Sequence, residues 1–131
     1  AAQIIAATVP DDHGAQLQAA IMLANFGRND EAVDRLKGLL RQHPDCRDAH
    51  IALGDIHFYR GNFDQASDRF KSALSESRTA KERSAMHVRL GEIDLSREDY
   101  AAAKIKFRDA LQDDPELEAT VKTLQKRTGY R

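Results

Sequence analysis

Two stretches, LGDIHFYRGNFDQASDRFKSAL at residues 53–74 and LGEIDLSREDYAAAKIKFRDAL at residues 90–111, decide how this chain folds. Both open on Leu-Gly, carry a Phe near their end and close on Ala-Leu, and each of these residues recurs after 37 positions. Small and apolar residues recur within each stretch at spacings of three and four, which is the period of an amphipathic α-helix. A repeat of this length, built from helical segments, is typical of a stacked helical array.

A third, weaker copy lies upstream at a spacing of 34 residues, and Pro10 and Pro44 show the same spacing. The small and apolar positions of the first stretch, in the order Gly54, Gly61, Ala66, Phe70 and Leu74, are matched by Ala20, Gly27, Ala32, Leu36 and Leu40. The chain therefore carries about three copies of one unit.

Turn and cap residues predict helix-turn-helix units. Gly61-Asn62 ends one helix and caps the next, where Gln65 would complete a capping box. Thr79 and Glu82 predict a second capping box. The three residues that separate a spacing of 37 from one of 34 fall around Thr79, and we expect them to lengthen a turn or a helix start.

Two glycines, Gly54 and Gly91, stand in the middle of predicted helices. Glycine in that place costs about 1 kcal/mol relative to alanine. The close approach of a neighbouring helix is the explanation that fits this cost best.

A period of 34 with Leu-Gly, Ala, Phe, Ala and a closing Pro resembles the tetratricopeptide repeat. The resemblance covers residues 13–117 and implies an all-α fold, a right-handed α-solenoid of antiparallel helix pairs. The first copy departs from the pattern, with Ala20 in the place of the glycine and Asn29 where an aromatic residue is usual. The closing Pro is missing after the second copy, where Arg78 stands.

The repeat register divides the chain into five segments. Leu117, Val121 and Leu124 form an apolar stripe at helical spacing near the carboxyl terminus, and both ends suggest a fragment of a longer array or multidomain protein. The predicted segments are the second helix of a truncated preceding repeat with its linker (1–12), a degenerate repeat 1 (13–46), repeat 2 (47–83), repeat 3 (84–117) and a C-terminal capping helix (118–131).

Composition excludes several classes of function. Twenty Lys and Arg balance twenty-one Asp and Glu, so the basic excess that nucleic-acid binding uses is missing. Direct membrane insertion is not expected, because no apolar run approaches the roughly 18 residues that span a bilayer. One cysteine, Cys46, cannot form an internal disulfide. These features favour the cytoplasm slightly, although a trimmed precursor would look the same.

The resemblance implies that the first helix of each pair lines a concave groove that binds a protein or peptide. The residues that it places on the groove wall are Leu17, Ile21, Asn25, Asp48, Ile51, Asp55, Phe58, Tyr59, Val88, Glu92, Leu95 and Ser96, with Arg89 at the edge. The alternative for Ile51, Phe58 and Leu95 is burial in the core by a neighbouring repeat.

Charged positions in this groove suggest a ligand type. Asp55 and Glu92 are equivalent in adjacent repeats, so we expect them side by side, where they would favour Lys or Arg on an apolar ligand. They could equally be solvated surface charges. Relatives that clamp acidic chaperone tails use Lys, Asn and Arg at positions held here by Leu17, Ile21, Ala52, Ala85 and Arg89, and only Arg89 fits, which disfavours such a ligand.

No motif in the chain predicts catalysis or a cofactor. His43, Cys46 and His50 are close in sequence, but a Pro-Asp turn interrupts them and no fourth zinc ligand is evident. His50, His57 and His87 fall where the family has aromatic residues, so packing explains them. The cluster Lys104, Lys106 and Arg108 is interpreted as a solvated helix face.

The leading hypothesis is a non-enzymatic interaction module that binds a peptide or helix of a partner protein in its concave groove. The alternatives are a scaffold that self-associates as a homo-oligomer through its repeat ends, and a regulatory or tethering segment of a larger multidomain protein.

Overall fold

A computed structural model describes residues 13–127 of the 131-residue chain. The predicted helix of a preceding repeat, at residues 1–12, lies outside the described residues, as do the last four residues of the predicted C-terminal segment.

The described part of the chain is a series of α-helices joined by short turns, without a strand. The helices α1, α3 and α5 each pack most closely against the helix that follows, and the pairs α1–α2, α3–α4 and α5–α6 stack in chain order. The predicted all-α solenoid is confirmed. The elements are α1 (His13–Asn25), α2 (Asn29–Gln42), α3 (Arg47–Tyr59), α4 (Phe63–Ser75), α5 (Ala80–Ser96), α6 (Tyr100–Asp113), a 3₁₀ turn (Pro115–Leu117) and α7 (Glu118–Arg127).

The two mid-helix glycines each face an aromatic ring of the following helix. A Cβ atom on Gly54 would lie 2.7 Å from Cε1 of Phe70, and one on Gly91 would lie 2.5 Å from Cε1 of Phe107. Both rings are almost fully buried, at 1% and 2% exposure. The predicted close approach of helices is thus confirmed, and burial of a whole Phe side chain offsets the helix propensity that glycine loses.

The turns within the three helix pairs share one conformation. Gly27 and Gly61 have φ values of 81° and 77°, and Glu98 takes the same place in the third pair with φ of 60°. Each turn closes through a backbone bond that reaches back into the helix, such as Asn62 N to His57 O at 2.8 Å. A positive φ is favourable for glycine, whereas it strains the backbone of Glu98. Glu98 adopts this conformation because the stack requires the turn.

The predicted helix starts have the correct positions, but one of the two predicted capping boxes does not form. Thr79 and Glu82 form the predicted capping box at the start of α5, with Glu82 N donating to Thr79 Oγ1 at 3.0 Å. Asn62 does precede α4, but its side chain makes no capping hydrogen bond, so the box predicted with Gln65 was wrong. The equivalent Asp99 accepts from Ala102 N at 3.2 Å. A carboxylate is a better acceptor at a helix N-terminus than a neutral amide.

The longer spacing between the second and third copies is absorbed by α5. This helix has 17 residues, whereas α3 has 13, and the extra turn lies at its start. Arg47 anchors this turn region by donating from Nε to Ser77 Oγ at 3.0 Å and from Nη2 to the carbonyl of Glu82 at 3.3 Å. The predicted lengthening of a helix start is therefore confirmed, and the stack continues through it.

Candidate functional site

A groove lies between α1 and α3, the first helices of two adjacent pairs. Its volume is about 570 Å³. The floor is apolar and comes mainly from Leu17 and Ile21 of α1 and from Ile51 and Ala52 of α3. Hydrogen-bonding side chains surround this floor, namely Gln18, Asn25, Asn29, Asp48, Asp55 and Tyr59. An apolar floor with a few placed polar groups is the usual character of a binding site.

Helix periodicity explains why these side chains converge. Leu17 and Ile21 are four residues apart on α1, and Ile51 and Asp55 have the same spacing on α3, so each pair lies on one face of its helix. Those two faces meet across the groove. Tyr59 lies one turn beyond Asp55, and its ring is 82% exposed at the end of the groove.

Seven of the residues that the sequence placed on the groove wall line this groove. They are Leu17, Ile21, Asn25, Asp48, Ile51, Asp55 and Tyr59. Their role in ligand binding stays a prediction.

The remaining predicted wall residues lie elsewhere. Val88 and Leu95 are 7% and 5% exposed and pack with residues of α6 and α7, so the expectation that they face an open groove was wrong. Val121 of α7 belongs to the same buried cluster as these two residues. Phe58 is half-buried, with its ring 5.7 Å from that of Phe63 in an edge-to-face arrangement. Leu95 thus follows the core alternative that the sequence left open.

Arg89, expected at the groove edge, closes the neighbouring interface between α3 and α5. Its Nη1 donates to Oδ1 of Asp55, and its guanidinium carbon lies 5.8 Å from the centre of the Phe70 ring. The sequence paired Asp55 with Glu92 as groove carboxylates and did not foresee the ion pair with Arg89. Burial raises the pKa of Asp55, and the charge of Arg89 and its hydrogen bond oppose this shift.

The repeat register shows why one interface is open and the next is closed. Ile21 of α1 is the equivalent of Asp55, 34 residues later, and Ala52 of α3 is the equivalent of Arg89, 37 residues later. The Asp–Arg pair between α3 and α5 is therefore replaced by Ile and Ala between α1 and α3. A methyl group in place of a guanidinium leaves space, and that space is the groove.

Ala52 lines the groove and was not among the wall residues that the sequence predicted. A small residue carries no chemical signal of its own. The signal lay in comparing Ala52 with Arg89 at the same repeat position. Gln18, Ala24 and Asn29 also line the groove and were not predicted.

The two charged residues that line the groove are both carboxylates. Asp48 and Asp55 line it, and no Lys or Arg is among its lining residues. The Asp48 side chain is 68% exposed and has Arg47 Nη1 at 3.5 Å from its Oδ1. Asn25 and Asn29 add amide groups that can both donate and accept hydrogen bonds.

The histidine and cysteine side chains do not assemble into a metal centre in residues 13–127, where no group of three or more potential ligands comes together. Nε2 of His50 lies 2.8 Å from the carbonyl oxygen of Pro44, and the rings of His13 and His43 meet edge to face at 4.5 Å. Cys46 is half-buried and free.

Within residues 13–127, no helix is both long enough and apolar enough to cross a bilayer.

The stacked helix pairs and the groove between their first helices define a helical-repeat interaction module. The sequence profile of the tetratricopeptide repeat matches residues 23–90, more than half of the chain, and the chain belongs to the tetratricopeptide repeat family. Repeats of this family bind protein partners, and this chain is accordingly a protein-interaction or scaffold module. A search of curated proteins gives no match.

Solved structures share the fold at low sequence identity. One of them, described as the MamA RS-1 ArsTM double mutant, superposes with a TM-score of 0.72 at 14% identity, over 89% of this chain. The chain spans 64% of the length of that protein. The likeness concerns the fold.

Proposed function

We propose that the chain binds an apolar peptide or helix of a partner protein in the groove between α1 and α3, and that a Lys or Arg of this ligand faces Asp48 and Asp55. The observation that carries the proposal is the replacement of the Asp–Arg pair by Ile21 and Ala52, which opens an apolar space at one repeat interface and not at the next. A pre-formed apolar groove binds a peptide through a few anchor side chains, with the surrounding polar groups giving orientation.

The two carboxylates that line the groove support a positively charged residue on the ligand. Asp48 remains largely exposed to solvent, so a ligand cation would meet it with little desolvation cost. Asp55 is already paired with Arg89, so a ligand cation would share the Asp55 carboxylate with Arg89. Exposed pairs of this kind contribute mainly to specificity and association rate, while the apolar floor supplies most of the affinity.

Selection of phage-displayed peptides on the chain tests the proposal. The decisive variant is Ile21→Asp/Ala52→Arg, which copies the closed interface into the open one. We expect selected peptides to combine apolar residues with at least one Lys or Arg, and to bind the variant at least tenfold more weakly than the parent. Isothermal titration with a synthetic copy of an enriched peptide measures this difference.

A matched control repeats the same two chemical changes outside the groove. Ile105→Asp and Ala101→Arg lie on α6, where Ile105 is 50% exposed and Ala101 is exposed. This control should bind as the parent does, and circular dichroism should show the same helix content in all three proteins. Equal binding by parent and groove variant would move the ligand to another surface and contradict the proposal.

A further inference from the structure

A second cleft lies at the carboxyl end of the described chain, between α6 and α7. Its volume is about 390 Å³. Phe107, Leu111 and Val121 form its apolar floor, and Phe107 and Val121 are also core residues at 2% and 3% exposure. The floor of the cleft is therefore part of the core, and the groove between α1 and α3 shares no residue with the cleft.

The rim of this cleft is basic. Lys104 and Arg108, four residues apart on α6, and Lys122 on α7 line it together with a single carboxylate, Glu118. Glu118 is already bound to Lys122, with Nζ 3.3 Å from Oε1. Three cations against one carboxylate give a local excess of positive charge on a chain whose net charge is −1.

Two of these cations have no partner among the described residues. Lys104 and Arg108 are exposed and take part in no ion pair or hydrogen bond there. Lys106, which the sequence grouped with them as a solvated face, instead donates to Asp94 at 2.9 Å from the other side of α6. Lys106 is therefore a structural residue, whereas Lys104 and Arg108 lie on the rim of an apolar cleft.

The cleft contains a residue that departs from the repeat pattern. Gln125 lines it and stands 34 residues after Gly91, where α3 and α5 have glycine. Those glycines make room for the rings of Phe70 and Phe107 from the next helix. A ring placed as those of Phe70 and Phe107 would collide with the Cβ atom of Gln125, so α7 does not offer the glycine–phenylalanine contact of α3 and α5.

We propose that the cleft between α6 and α7 is a second docking site, which binds an acidic amphipathic segment of a partner protein. Apolar side chains of this segment contact Leu111 and the edge of the floor, and carboxylates at a spacing of four residues pair with Lys104 and Arg108. The partner is a protein segment because the site combines a concave apolar floor with only three cations. Nucleic acid would require a broader basic surface, and a bilayer would require a protruding apolar face.

Fluorescence anisotropy with two model peptides tests this site on the full chain. The first is a fluorescein-labelled amphipathic peptide of about 14 residues, with Leu on one face and flanking Glu residues at a spacing of four. The second has Lys at every Glu position. In the Ile21→Asp/Ala52→Arg background, which closes the α1–α3 groove to Lys-containing peptides, we expect the Glu peptide to bind at least tenfold more tightly than the Lys peptide. Its affinity should fall as salt is added, because exposed charges on the rim are screened.

The variant Lys104→Glu/Arg108→Glu should weaken the Glu peptide at least tenfold. A control with the same change of charge is Lys71→Glu/Lys81→Glu, at exposed positions outside the cleft, and it should bind as the parent does. All substituted side chains are exposed, so folding should be unaffected, which circular dichroism checks.

Several results would overturn the proposal. They are failure of the Glu peptide to bind the parent, undiminished binding to Lys104→Glu/Arg108→Glu, and displacement of the peptide by a single-stranded oligonucleotide or by acidic lipid vesicles at lower concentration than by unlabelled Glu peptide. The Ile21→Asp/Ala52→Arg variant should bind the Glu peptide normally. Loss of binding there would place the peptide in the α1–α3 groove, so failure of the second site and failure of the proposed groove are distinguished.

Discussion

The interface between α1 and α3 and the interface between α3 and α5 are built from the same repeat positions, and one difference between them is the pair of side chains that face each other across the interface. Between α3 and α5, Asp55 and Arg89 form an ion pair that closes the space. Between α1 and α3 the same positions hold Ile21 and Ala52, and a groove of about 570 Å³ remains. Substitutions at equivalent repeat positions can therefore change the shape of a surface while the stacked helices that carry it are kept.

The helix pairs differ in a related way in their cores. Pairs α3–α4 and α5–α6 each join a glycine to a phenylalanine, whereas α1–α2 has Ala20 and Leu36 at those positions. Ala20 and Leu36 are each 1% exposed, so this smaller combination also packs tightly. In the degenerate first repeat, Leu36 replaces the larger Phe and Ala20 replaces the smaller glycine, so the core between the two helices stays filled.

The largest expected effect on stability is that of Gly54→Ala, which disturbs the fit between Gly54 and Phe70 in the pair α3–α4. The new Cβ would lie 2.7 Å from Cε1 of Phe70, and the overpacking should outweigh the gain in helix propensity. We expect a loss of about 1–2 kcal/mol in the free energy of unfolding, measured by urea denaturation.

The same substitution made in a Phe70→Leu background copies the first repeat. There Gly54→Ala should be neutral or stabilising by up to about 1 kcal/mol, because no ring blocks the methyl group. An equal loss in both backgrounds would show that the glycine is required for another reason.

The substitution Arg89→Ala should open the second interface. It removes the partner of Asp55 and the cation above Phe70, but both charged side chains are about a third exposed, so the loss of stability should be at most about 1 kcal/mol. A double-mutant cycle with Asp55→Ala measures the coupling. A coupling energy indistinguishable from zero would mean that the pair does not hold this interface closed.

The turn of the third pair offers a substitution that should stabilise the fold. Glu98 has φ of 60° where the first two pairs have Gly27 and Gly61. Glu98→Gly should therefore raise the free energy of unfolding by roughly 0.5–1 kcal/mol, since glycine takes this conformation without steric cost. Thermal unfolding followed by circular dichroism is the measurement, and a lower melting temperature would contradict the explanation of this turn.

The smallest expected effect is a dependence of stability on pH from His57, on the helix that both interfaces share. Burial lowers its pKa, helped by the charges of Arg69, Lys37 and Arg60. The folded state then binds fewer protons than the unfolded state just below pH 6.5, so this contribution is present above that pH and is lost as the pH falls.

A His57→Tyr variant removes this titration. Its melting temperature should fall less than that of the parent between pH 7.5 and pH 5.5. Parallel curves for the two proteins would contradict the lowered pKa.

The sequence predicted the fold well because the period, the mid-helix glycines and the Thr79–Glu82 box are local signals that the stack does not override. The site was predicted less completely. Val88 and Leu95 fit the groove pattern by position. Their burial with residues of α6 and α7 depends on tertiary packing, which residue spacing alone does not reveal. The importance of Ala52 appears only when its repeat equivalent, Arg89, is seen bound to Asp55.

The most direct test of the account follows methyl resonances while an enriched Lys- or Arg-containing peptide is titrated into the isotopically labelled chain. The account predicts that the methyl groups of Ile21 and Ile51 shift progressively, while those of Val88 and Leu95 stay unchanged. Shifts concentrated at Val88 and Leu95, with Ile21 and Ile51 unaffected, would contradict the claim that the open interface between α1 and α3 is the binding site.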